Sequence, residues 1–215
     1  MIEFKKRESL DTLIERRVAF LTDYQNAAYA QNYLAFLTQV QQVESALGKT
    51  SLTESVARYL FKLMAYKDEY EVARLHTDTG FLSRVNGMFE GDFTLNYHLA
   101  PPLTSKTNDK GELIKKKFGP FMLTGFKLLS RLKFLRGTML DVFGRTHERQ
   151  MERALIEEYK NSVSIVLGQL SADNHGLALE LARLPDQIKG FGHVKERNVK
   201  AARMQWSVLM AKFNT

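Results

Sequence analysis

The chain has 215 residues, enough for one sizeable domain with its own core or two small ones. Its apolar runs are a few residues long, against the roughly 20 needed to span a bilayer. With no cysteine it has no disulfide, no thiol nucleophile and no Cys-ligated zinc or iron–sulfur centre, and a net charge of +7 makes it moderately basic.

The opening residues, MIEFKKRESLD, carry positive charge with no apolar segment behind it. No secretory signal is expected there, and the chain reads as cytoplasmic. Ser9 is placed to cap a helix in which Leu10, Leu13, Ile14, Val18, Leu21, Tyr24 and Ala28 recur at helical spacing. The pattern continues through Tyr33, Leu37 and Val40 and stops at Gly48, so a kink or break is expected near Asn26–Asn32. SLTE at Ser51–Glu54 reads as a capping box opening a helix that runs to about Thr77.

The character then changes. Phe93, Leu95, Tyr97 and Leu99 alternate with polar residues, the period of a half-buried strand. Pro101 and Pro102 end it, residues 107–111 supply a turn, and ELIKKKFG is expected to return as a second strand. Pro120 opens an amphipathic helix that Gly137 ends. Thr146 caps the next helix, with a buried stripe of Met151, Leu155, Tyr159, Val163, Val166 or Leu167, and Leu170. A shorter helix stops at Pro185, and a last one carries Val194, Val199, Ala202, Trp206, Leu209 and Phe213. The expected fold is mainly α, a compact domain of about six helices with a small β-hairpin or extended arm near residues 92–118.

Three clusters are candidate sites. Lys67, Glu71 and Arg74, spaced i, i+4, i+7, share one helix face if the helix is continuous. They read either as an ion network fixing helix register or as a base and an anion clamp; the structural reading is preferred, because buried charges must be paired. Lys189 flanks GFGHVKER, and His193, Lys195 and Arg197 lie within it, where two glycines precede a helix start. Such a start can hold an anion or a partner's carboxylate, and the competing reading is a plain glycine turn. Between residues 106 and 136 nine basic residues face only Asp109 and Glu112. That excess suits an acidic partner, a phosphate-bearing ligand or simply a solvated surface. The five histidines show no metal-ligand spacing, and no nucleophile elbow or dinucleotide motif is present, so no catalytic, cofactor-binding or metal residue is assigned.

Several stretches taken together, LDTLIERRVAFLTDYQNAAYAQNY, LFKLMAYKDEYEVARLHTD, FTLNYHLAPPL, KKFGPFMLTGFKLLSRLKFLRGTMLDVFGRTHERQMERALIEEY and ARLPDQIKGFGHVKERN, resemble the C-terminal region of the fused indolepyruvate ferredoxin oxidoreductases. The resemblance covers residues 9–213, leaving residues 1–8 as a leader outside it and 9–215 as one helical domain. It implies a parent enzyme that oxidatively decarboxylates arylpyruvates to acyl-CoA, using thiamine diphosphate, magnesium and iron–sulfur clusters, with ferredoxin as acceptor. None of those cofactors is expected in this chain, whose sequence lacks their motifs. The implied role is non-catalytic: assembly, packing against upstream thiamine-binding and γ-type domains, or docking of ferredoxin or CoA. The alternative is a basic helical module for nucleic acid or a phosphate-bearing ligand.

Overall fold

Three helices, at Ser9, Asn26 and Asp68, start at a side-chain cap. In the computed structural model, which describes residues 8–100, 108 and 114–214, the order is α1 (Leu10–Tyr24), α2 (Ala27–Ser45), α3 (Ser51–Met64), α4 (Glu69–Thr77), α5 (Phe81–Asn86), β1 (Tyr97–Leu99), β2 (Lys116–Phe118), α6 (Met122–Arg131), α7 (His147–Gly168), α8 (His175–Arg183) and α9 (Gly192–Phe213). The described chain is thus mainly α with one small antiparallel hairpin. No described helix is long and apolar enough to cross a membrane.

There are more helices than periodicity alone predicts, because caps cut through continuous apolar patterns. Asn26 ends the first pattern: its side chain accepts the N–H of Tyr29 at 2.8 Å and starts α2. Asp68 does the same inside the expected residue 51–77 helix, accepting the N–H of Glu71 at 2.8 Å. That helix is therefore two, α3 and α4. The expected capping box at Ser51 does not form either. Ser51 is already helical, and its hydroxyl is not the cap; a carboxylate from α2 takes that place, as described below. The helix expected from Pro120 to Gly137 is α6 followed by a 3-10 turn at Leu132–Leu135.

The described chain falls into two compact units, one made of residues up to 65 together with residues from 151, the other of Tyr66–Gln150. In the first unit α1, α2, α3, α7, α8 and α9 bury one contiguous apolar interior. Leu21, Tyr33, Val40, Leu60, Leu155, Val199 and Ala202 are all essentially inaccessible. Large tyrosines sit within it because their hydroxyls find carbonyls: Tyr33 donates to Ala57 O and Tyr159 to Ala182 O, each at 2.9 Å. The buried stripe expected on α7 is present from Met151 to Val166.

In the second unit α4 and α6 pack together over the hairpin. Its core is Ala73, Tyr97 and Phe126, with Leu95, Leu99, Phe118, Met122 and Leu129 around it. Register pairs Tyr97 with Phe118, His98 with Lys117 and Leu99 with Lys116. The expected strands are there but shorter than the alternating pattern. The expected turn at residues 107–111 and the Pro101–Pro102 stop lie outside the described residues, Asn108 excepted.

Candidate functional site

The structure separates the first candidate cluster. Glu71 and Arg74 form a two-pronged ion pair on α4, with Nε to Oε2 at 2.8 Å and Nη2 to Oε1 at 2.9 Å, both side chains buried. Lys67 is not with them: it precedes α4 and is exposed. Its neighbour Asp68 takes the central role. Asp68 caps α4 and also receives Arg136, whose Nη2 lies 2.8 Å from Oδ1 and whose Nε bonds Oδ2. Next to this pair, Asp141 accepts the backbone N–H groups of Gly137 and Gly144 at 2.8 and 2.9 Å, and the Tyr70 hydroxyl at 3.3 Å. Burial, reinforced by Asp141, pushes the Tyr70 hydroxyl far above the usual phenol range. Glu69 meets Arg149 at 3.4 Å; burial raises its carboxyl and the arginine only partly offsets that. These charges tie α4 to the 136–144 segment and to Arg149.

The second cluster does not converge on a ligand position. Lys195 is ion-paired with Glu152, Lys189 lies 3.5 Å from Asp186, and His193 and Arg197 are exposed. The glycines are explained by geometry. Gly190 has φ +94°, and a Cβ there would lie 2.8 Å from Val194 Cγ1. Gly190→Ala is therefore expected to destabilise the first unit by about 1–3 kcal/mol. Gly176→Ala, on α8 with open space around it, is expected to be neutral or slightly stabilising. Urea unfolding of the two variants checks the contrast.

A third polar centre lies in the first unit, and no local pattern announces it. Glu44, completely buried near the end of α2, accepts the N–H groups of Leu52 and Thr53 and the Thr53 hydroxyl, each at 2.7 Å. It thereby caps α3. Its Oε1 also lies 2.8 Å from Nε2 of buried His175 at the start of α8. Burial alone would raise the Glu44 carboxyl; the bonds from His175, Thr53 and Leu52 outweigh it and hold the carboxyl below its usual range.

The surface of the second unit is the most open to a partner. Phe121, Leu128, Phe134, Met139 and Leu140 expose more than half of their area each, and most exposed large apolar side chains of the described residues belong to this unit. Lys115, Lys116, Lys117, Lys127 and Arg131 are exposed and make no ion pair among the described residues. Lys127 and Arg131 stand one turn apart on α6, beside Leu128. Two members of the expected basic patch are withdrawn from the surface. Arg136 is buried against Asp68, Lys133 is half-buried, and Lys106 and Lys110 lie outside the described residues.

Behind this surface His76 sits in an aromatic nest. Its ring stacks on Phe126 at 5.1 Å and meets the edges of Phe81 and Tyr97 at 4.8 and 5.5 Å. Burial lowers the His76 pKa, favouring the neutral ring. His76 Nδ1 and Tyr97 Oη are both buried without a hydrogen-bond partner. Among the described residues, no group of three His, Asp or Glu side chains is placed to hold a metal ion.

No match to the chain is found among curated proteins or among solved structures. A family model does match, over residues 10–208, almost the whole length that holds both units just described; the chain belongs to that family, a family of unknown function, DUF6537.

Proposed function

We propose that this chain is the non-catalytic C-terminal module of an indolepyruvate-type 2-oxoacid:ferredoxin oxidoreductase, serving to pack against the enzyme's other domains or to dock a partner. The sequence stretches quoted above support the parentage. One structural observation supports the role: the second unit couples exposed Phe121, Leu128, Phe134, Met139 and Leu140 with exposed Lys127 and Arg131, which make no ion pair among the described residues. Exposed apolar groups next to a charged rim are the composition of a surface that another protein covers. The buried ion pairs of the same unit hold that surface in shape. Acidic ferredoxin and CoA, both negatively charged, are the candidate ligands for the lysines.

The test mixes the chain with the upstream thiamine-binding and γ-type domains and measures association by sedimentation. Association is expected to weaken at least about tenfold in a Leu128→Asp, Phe134→Asp double variant, whose side chains are exposed and whose fold should persist. Adding ferredoxin or CoA at low salt shows whether the lysines serve a soluble ligand as well. Absence of any association, or turnover of an oxoacid by the chain alone, overturns the reading. Salt-dependent binding of short DNA at micromolar protein would favour the nucleic-acid alternative.

A further inference from the structure

The hairpin ends where its register could continue. Extending the β1–β2 pairing by two residues would set Asn96 against Gly119 and Leu95 against Pro120. Pro120 has no N–H to contribute. The carbonyls of Gly119 and Pro120 are also occupied: they accept the N–H groups of Met122 and Leu123, each at 3.1 Å, as the chain turns into α6. Residues 92–96, which lead directly into β1, consequently have no backbone hydrogen bond among the described residues.

Beside them lies a groove of about 510 Å³, bordered by Asn86, Asp92, Thr94, Tyr97, Pro120 and Leu123. Tyr97 is 6% exposed and its hydroxyl is unpartnered. A buried donor without an acceptor is costly unless a ligand supplies one. Asp92 is the one charged side chain that lines the groove among the described residues, and neighbouring Glu90 is exposed as well. An incoming chain with a cation is therefore favoured over an acidic one, in contrast to the lysine-rich surface of the same unit.

We propose that this groove binds an extended peptide, which adds along residues 92–96 as the strand that β2 cannot supply and places a basic side chain against Asp92. Main-chain pairing provides the affinity, as in other strand-addition sites, and Asp92 provides the preference for a basic residue. The proposal does not depend on the parentage of the module, since the edge, unpaired among the described residues, and the groove both belong to this chain.

The experiment uses the whole chain and the blocked peptide acetyl-Val-Lys-Val-Lys-Val-amide. Calorimetry reads affinity, and amide hydrogen exchange reads the edge. Bound peptide is expected to slow exchange at residues 92–96 by about tenfold or more, an effect equivalent to 1.4 kcal/mol. A version N-methylated at alternate amides, and the Val-Glu-Val-Glu-Val counterpart, should each bind about tenfold more weakly. Asp92→Asn should abolish the Lys-over-Glu preference while leaving the circular dichroism unchanged, because Asp92 is exposed. Binding by the N-methylated peptide as tight as by its parent, no protection at residues 92–96, equal affinity for the acidic peptide, or no binding at millimolar concentration would each overturn the proposal.

Discussion

Replacing Glu44 with alanine is expected to lower the unfolding free energy of the first unit by about 3–5 kcal/mol, since each buried donor left without its acceptor costs about 1–3 kcal/mol. Three donors at the start of α3 and the ring of His175 would lose their shared acceptor at once. Against a domain stability of roughly 5–15 kcal/mol, this removes a large share of the margin. Glu44→Gln isolates the charge, since the amide keeps the shape and one acceptor. Its pH dependence has a definite sign. The folded-state carboxyl titrates below its ordinary value of 4.5, so its stabilising contribution is complete above that pH. It is lost as pH falls through the folded-state value. Urea unfolding should therefore show a gap between wild type and Glu44→Gln at pH 7 that narrows steadily on acidification below about pH 4.5. A gap independent of pH would show that the carboxylate's charge contributes nothing there.

Asp68→Ala should be comparably severe in the second unit, at about 3–5 kcal/mol. It removes the α4 cap, worth about 1 kcal/mol, and takes from the buried Arg136 guanidinium the two hydrogen bonds it makes to Asp68. Asp68→Asn retains the cap and loses only the charge, which separates the two contributions. Replacing both partners, Asp68→Asn with Arg136→Leu, is expected to recover much of the loss, because a buried guanidinium deprived of its Asp68 carboxylate is then avoided. Thermal melting gives the magnitudes. Hydrogen exchange across residues 69–77 and 137–144 should show both segments loosening together, since Asp68 and Arg136 join them. A cost below about 1 kcal/mol for Asp68→Ala would mean the pair is no stronger than a surface ion pair.

These two acids illustrate what a single sequence reveals. Asp68 was legible in principle: Asp-Glu-Tyr-Glu at residues 68–71 has the spacing of a helix cap, but the surrounding apolar period of Leu60, Leu63, Met64 and Tyr70 masks the break. Glu44 carries no local signal. It lies in a polar run of glutamines and glutamate, and its partner His175 is 131 residues away. Lys67 shows the reverse error. Its i, i+4 spacing to Glu71 places it on the α4 face only if the helix is continuous, and the cap at Asp68 makes it exposed instead. Likewise Arg136 counts toward the basic excess in sequence but is spent inside the unit.

By itself the sequence determined the helical class, the hairpin between Tyr97 and Phe118, the cap at Ser9, the interruption near Asn26, and the inward stripes of α7 and α9. All of these arise from periodicity and capping among residues a few positions apart, where backbone geometry dictates which side chains meet. Only the tertiary structure decided which charges are consumed by partners, which lysines stay available, and where the hairpin opens into a groove. Those outcomes depend on contacts between segments far apart in the chain, such as Glu44 with His175 and Asp68 with Arg136, and no local spacing encodes them.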